Sequence, residues 1–361
     1  MSKTGNRGEW SELYTLFKLL SHGVLDSGDA DLNKIADSIY PIVKIIREES
    51  GKEFTYSFTA NKDIVIVSTD KIELVRISVK EFADQAQKLL KQIKASSGSS
   101  FEALETEDFM AKISCLSIKA ESSAKKDITI QIHDAKTSQD PILGFSIKSQ
   151  LGNASTLLNA GKTTNFIYEV SPRISTEDIQ QINKIDTRSK IKDRLDYLYS
   201  HRIKLKFVNL HSQMFHNNLT LIDSLLPEIL SQVVRQFYSS KMSSLNELVT
   251  WLEQNNPLGF DNSGGHEFYT VKIKRFLTDV ALGMMPSKCW TGQYEASGGY
   301  LIVKDDGDII CYHLYDRNLF EDYLLNNTKL ETASSSRHQF GSVYIDNGQK
   351  MNLNLQIRFT K

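Results

Sequence analysis

Hydrophobic and polar positions along the chain follow two periods, and the switches between them mark its elements. Residues 8–21 repeat Trp10, Leu13, Phe17 and Leu20 at helical spacing, which predicts an amphipathic helix. A second helix is expected over 31–49. FTYSFTA and DIVIVST, broken at Asn61-Lys62, read as a hairpin. Residues 79–95 predict a Lys-rich amphipathic helix that ends in the surface loop SSGSS at 96–100. Two short strands follow, KKDITIQIH at 125–133 and GFSIKSQ at 144–150. Next come the polar loop GNASTLLNAGKTTN and a strand at FIYEV.

Pro172 and the Ser175–Asp178 segment suit a helix start. Helices are expected over 188–200, 219–238 (kinked or broken at Pro227), 244–254 and 268–283. Two hairpins close the chain, turning at Asp306-Gly307 and Asn347-Gly348, dipeptides suited to tight two-residue turns. This mixture points to an α/β (α+β) chain: a mixed central sheet flanked by helices over 1–240, then an α+β C-terminal region with β-hairpins over 241–361.

Composition changes this picture little. At 361 residues the chain is long enough for two domains. No apolar run reaches 18 residues, so no membrane span is expected. MSKTGNRGEW lacks a signal-peptide core. Cys115, Cys289 and Cys311 are far apart and form no zinc pattern, which fits a cytoplasmic protein. The formal net charge of −1 argues against a protein that coats nucleic acid, but not against one basic cleft. From 184 to 206 eight basic residues stand against three aspartates, either such a patch or a solvated helix face.

The strand pair carries the candidate chemistry. Alternation puts Ile128, Ile130 and Ile132 on one face and Asp127, Thr129 and Gln131 on the other. In the second strand Phe145 and Ile147 face the core, leaving Ser146, Lys148 and Gln150 opposite. An antiparallel hairpin with Asp127 opposite Lys148 would gather the polar groups. An acid and a lysine meeting on one sheet face suit metal-dependent phosphodiester hydrolysis. The acid holds Mg²⁺, and the amine works on water and stabilises charge at phosphorus. One acid is thin for a metal. Glu12, in RGEWSE on the first helix, is the expected second ligand, with Glu9 the competitor. Each residue also has an ordinary reading: Asp127 as a turn acid, Lys148 as a snorkelling lysine, Glu12 as a first-turn acid.

These residues resemble the PD-(D/E)xK nuclease superfamily, with Asp127 as first acid, SIK at 146–148 as the tripeptide in which Ser146 replaces the acid, and Glu12 as the first-helix glutamate. GNRGEWSELYTLFKLL, GFSIKSQLGNASTLLNAGKTTNFIYEV, GGYLIVKDDGDIICYHLYDRNLFEDYLL, SSSRHQFG and LNLQIRF, among other blocks in order, are similar to the HpaII-type restriction endonuclease family. The resemblance spans Gly5 to Phe359. It implies a Mg²⁺-dependent type II restriction endonuclease cutting double-stranded DNA at a short palindrome, CCGG after the first C for the family prototype. A palindrome invites a homodimer, although a monomer nicking each strand in turn serves too.

In the loop 331–341, Ser336, Arg337 and His338 are expected to reach base edges, arginine being the usual guanine reader. Arg188 and Arg194 are expected at phosphates. Lys162, in AGKTT, is expected there too, with Asn165 and Gln150 also placed at the DNA. AGKTT lacks the earlier glycine of a P-loop, Thr156 standing in its place. A non-catalytic sequence-specific DNA-binding protein is the alternative; it needs the basic stretch but no converging acid and lysine.

Overall fold

Helix Arg7–His22 forms where the spacing predicts it, and its ends show why. The Asn6 side chain accepts from the Glu9 N–H at 3.0 Å, while the Asn6 N–H donates to Glu9 Oε2 at 2.8 Å. This capping box satisfies two donors that helix geometry leaves unpaired. Gly23 closes the other end at φ 78°, its N–H reaching Leu19 O. Helix Val79–Ala95 packs against it. Phe17, Phe82 and Phe109 meet edge to face with centroids 5.2–6.2 Å apart.

The computed structural model describes residues 2–119, 126–135 and 137–360, a mixed α+β chain in two compact units. One unit comprises the chain up to Ser155 together with Tyr294–Tyr323; the other comprises Thr156–Gln293 and Leu324–Thr360. The boundary expected near 240 falls within the second unit, between helices Leu226–Ser239 and Leu245–Asn255. The C-terminal segments are shared out because the Asp306-Gly307 hairpin joins the sheet of the first unit.

Among the described residues that sheet has nine strands in the order Val24–Gly28, Ile309–His313, Gly299–Val303, Ile142–Ser149, Ile128–Ile132, Lys34–Glu49, Lys52–Phe58, Asp63–Ser68 and Glu73–Ser78. Strand Ile142–Ser149 runs parallel to Gly299–Val303 and antiparallel to Ile128–Ile132. Both expected hairpins of this unit form, at 54–68 and 299–313. The turn expected between Asp134 and Pro141 includes residue 136, which lies outside the described residues. On the core face Ile45, Tyr56, Ile130, Phe145 and Ile147 join the helical side chains in one apolar cluster.

The helix expected over 31–49 is instead the 16-residue strand Lys34–Glu49. A bulge between Ile42 and Lys44 shifts its alternation by one. Buried positions alternate as Tyr40 and Ile42 before it, and as Ile45, Arg47 and Glu49 after it. The phase shift sets Ile42 and Ile45 three apart, imitating a helix face. Density of β-branched residues decides for the strand, and Pro41 opposes a helix.

The second unit contains an antiparallel sheet ordered Lys204–Leu210, Asn165–Ser171, Gln349–Asn354 and Val343–Ile345, beside a three-stranded sheet. The expected helix over 219–238 is two, Gln213–Ile222 and Leu226–Ser239, with Pro227 in the first turn of the second, where its missing N–H costs nothing. The basic stretch 184–206 is divided among the end of one helix, helix Lys190–Ser200 and strand Lys204–Leu210. Among the described residues no helix is long and apolar enough to cross a membrane.

Replacing Asn6 with Ala removes the capping acceptor, so equilibrium urea unfolding should show a loss of about 1 kcal/mol. An unchanged midpoint would mean that the box does not hold the helix.

Candidate active site

Asp127 stands one residue before its strand. Its N–H donates to Phe145 O at 2.9 Å, and Ile128 pairs with Phe145. Asp127 therefore lies opposite Ser146, not opposite Lys148 as the assumed register had it. The pairing runs out to the strand's first residue and fixes the offset. Lys148 is two residues on, along the same polar face.

Ser146 is the hub. Its hydroxyl donates to Asp127 Oδ2 at 3.0 Å and accepts from Lys148 Nζ at 3.1 Å. The Ile147 N–H gives the same Asp127 oxygen a second bond at 2.7 Å. Asp127 Oδ1 accepts no hydrogen bond among the described residues. Tyr300, fully buried on the adjacent parallel strand, pairs in register with Ser146. The Lys148 ammonium lies 5.3 Å from the Tyr300 ring centroid, a cation–π contact. Burial, the largest influence, draws Lys148 below the usual lysine range, and the charges of Asp127 and Glu12 oppose that.

The first helix settles which glutamate faces this group. Glu9 spends its carboxylate on the capping box. Glu12, one turn on, lies within the field of Asp127 and Lys148. Ser149 Oγ donates to Ser11 Oγ at 2.8 Å and so ties the helix to the SIK strand beside Glu12. Glu12 Oε1 is 3.7 Å from Lys119 Nζ, while Oε2 is buried with no hydrogen-bond partner among the described residues. Burial, with the Asp127 charge adding, raises the Glu12 carboxyl to about 7.

Lys119 and Tyr300 are the members that periodicity missed. Lys119 follows residues pinned by a buried ion pair. Arg47 binds Glu49 at 2.5 Å and Ser117 O at 2.5 Å, and Ser117 Oγ donates to Glu49 at 2.7 Å. Tyr300 arrives through a parallel pairing distant in sequence, which leaves no local signal. His313 is buried, its ring stacked on Tyr40 with centroids 4.8 Å apart, and accepts from the Tyr315 N–H, a structural position.

The donor set fits a hard divalent cation. Glu12 and Asp127 offer carboxylate oxygens, one buried without a donor and one with an oxygen left open. No group of three or more His, Cys, Asp or Glu able to hold a metal occurs among the described residues. Two carboxylates are nevertheless the usual protein share for Mg²⁺, which keeps waters and takes substrate phosphate oxygens for the rest.

The residues expected at DNA divide into two kinds. Arg337 and Ser336 are exposed on the short helix Ser335–His338, with His338 half-buried beside them. Arg188 and Lys162 are exposed, and Gln150, half-buried, follows the SIK strand. Asn165 and Arg194 are instead buried and committed internally. Asn165 donates to His338 O at 2.9 Å and accepts from Asn354 at 2.7 Å. Arg194 donates to the carbonyls of Gly341 at 2.5 Å, Asn183 at 2.8 Å and Ile185 at 2.8 Å. Having spent their donors, they correct the expectation of direct DNA contact: they hold the 335–342 loop rather than a phosphate.

The family model described as HpaII restriction endonuclease matches residues 6–359. The type II restriction enzyme HpaII of Haemophilus parainfluenzae is 45% identical over 358 residues, covering 99% of this chain and 98% of that enzyme. No solved structure matches the chain. The chain belongs to the HpaII restriction endonuclease family.

The raised Glu12 pKa has a definite sign. The folded state holds that proton more tightly than the unfolded chain, so stability is fully present below the ordinary value near 4.5 and is lost as pH rises through about 7. Glu12→Gln lacks this loss. Between about pH 5 and pH 8, metal-free wild type should lose stability relative to Glu12→Gln by on the order of 2 kcal/mol, measured by denaturant unfolding. Parallel pH profiles for the two proteins would refute the burial argument.

Proposed function

We propose that this chain, a type II site-specific deoxyribonuclease by its family, hydrolyses double-stranded DNA within CCGG after the first C. A divalent cation, Mg²⁺ by the chemistry of the donors, is held by Asp127 and Glu12. The observation that carries this is the joining of Asp127 and Lys148 through Ser146 on one sheet face, with the helix-borne Glu12 carboxylate within their field. A helix-borne acid, a strand-borne acid and a lysine two residues beyond Ser146 on a mixed sheet support a PD-(D/E)xK reading with serine in the acid position.

Bound there, the cation supplies Lewis-acid polarisation of a phosphoryl oxygen and a more acidic water. The remaining work falls to the chain. Ser146 and the Ile147 N–H fix one Asp127 oxygen and leave the other open. Lys148 carries three donors, one of them spent on Ser146, and the others serve the attacking water or the charge developing at phosphorus. The Tyr300 ring supports the ammonium that burial disfavours. Lys119, paired weakly with Glu12 and half exposed, is available for a phosphate oxygen.

The 335–342 loop is the proposed base reader, with Arg337 donating to guanine, Ser336 and His338 beside it, and Arg188 and Lys162 on phosphates. A two-fold pair of chains suits a palindromic target, each chain cutting one strand.

Digestion of a plasmid of known sequence with Mg²⁺ should give a ladder mapping to CCGG; cuts at another fixed sequence keep the chemistry and replace the target. Lys148→Ala should slow cutting by about 10²–10⁴-fold while duplex binding persists. Undiminished cutting would remove Lys148 from the mechanism. Arg337→Ala should raise cutting at single-base variants of the site relative to the site itself, read as a ratio of rates. Equal losses on both would reject it as a base reader.

A further inference from the structure

The second unit carries a cleft of about 460 Å³ whose charged lining has one sign. Arg188, Lys190 and Lys192, at the start of helix Lys190–Ser200, line it together with Lys241, after helix Leu226–Ser239. Serine and threonine hydroxyls from 240–243 and 332–336 complete the polar lining, and among the described residues no Asp or Glu lines it. Lys190 and Lys192 lean on Asp186 and Asp196 through i,i+4 pairs that face solvent and contribute little. Arg188 and Lys241 are exposed and have no ion-pair partner among the described residues.

An adjoining cleft of about 620 Å³ shares Lys190, Ser335 and Ser336 with the first. Its charged lining differs, because Asp346 stands there with Lys190 and Arg194. Base edges present both donors and acceptors, whereas phosphate oxygens only accept and carry negative charge. The Ser335–His338 helix thus borders one cleft of mixed charge and one whose charged lining is wholly basic.

We propose that the cleft of Arg188, Lys190, Lys192 and Lys241 is a backbone-phosphate site that grips the duplex without reading its sequence, Lys241 being a contact that the sequence patterns did not suggest. The assignment rests on the reading of the chain as a duplex cutter. It divides the labour in the second unit: the loop chooses the sequence, and the cleft supplies attraction on any sequence and raises the time spent near DNA.

The test is the binding of the full chain to two 30-mer duplexes, one with the target and one without, across a KCl series with Ca²⁺ in place of Mg²⁺. Lys241→Ala and Arg188→Ala should each flatten the slope of log affinity against log salt by about one unit, and should weaken both duplexes by a similar factor. Lys241→Arg should keep the slope. Unchanged slopes, or a loss confined to the target duplex, overturn the proposal. Displacement of duplex by millimolar inorganic phosphate beyond the effect of chloride at equal ionic strength, with slopes unchanged in the variants, assigns the cleft to a free anion and also overturns it. A wild-type chain that neither binds nor cuts any duplex fails at the nuclease reading instead. A chain that cuts at one sequence while both variants keep the full slope loses only the cleft.

Discussion

A carboxylate withdrawn from water must be met by a proton, a donor or a cation, and the active face of the nine-stranded sheet is built on that requirement. Its four carboxylate oxygens are met unequally. Asp127 Oδ2 has two donors and Glu12 Oε1 has a lysine at 3.7 Å, while Glu12 Oε2 is buried with none. Leaving a buried acceptor bare costs on the order of 1–3 kcal/mol. Such a cost persists where a ligand repays it, and in the proposed mechanism that ligand is a divalent cation. The fold does much to keep the oxygen where it is: the capping box and the Ser11–Ser149 bond fix the helix, and the Phe17, Phe82 and Phe109 cluster holds it to its neighbours.

The same requirement explains how serine works at position 146. Two acids, Asp127 and Glu12, face two lysines, Lys148 and Lys119. A third acid at 146 would sit about 3 Å from Asp127 Oδ2, a like-charge contact in a poorly hydrated site. A hydroxyl can instead donate to Asp127 and accept from Lys148 at once, which no carboxylate can do. The exchange fixes Asp127 in orientation but gives up one potential metal oxygen. In the proposed site this shifts more of the coordination to Glu12, whose charge burial resists.

Much of this was legible in the sequence because it rests on local periodicity. Trp10, Leu13, Phe17 and Leu20 mark the first helix, and the Asp306-Gly307 and Asn347-Gly348 hairpins form where their turns predict. Alternation put Asp127, Ser146 and Lys148 on one face, although the register was off by two positions. What failed was whatever depends on distant partners. The bulge in Lys34–Glu49 disguised a strand as a helix. Tyr300 reaches Ser146 across a parallel pairing more than a hundred residues apart in sequence. Asn165 and Arg194 read as DNA contacts from their polarity, yet burial turns them into supports for the loop that bears Arg337. Residue type announces hydrogen-bonding capacity, and only the fold decides where that capacity is spent.

The most direct test of the central arrangement asks where a divalent ion sits. With Fe²⁺ in place of Mg²⁺, ascorbate and peroxide generate hydroxyl radicals at the bound ion, and these cut the polypeptide nearby. Fragment masses should place the cuts around residues 12, 127 and 146, and excess Mg²⁺ should suppress them. Cuts confined to other segments, or a pattern unchanged in Asp127→Asn with Glu12→Gln, would contradict the account.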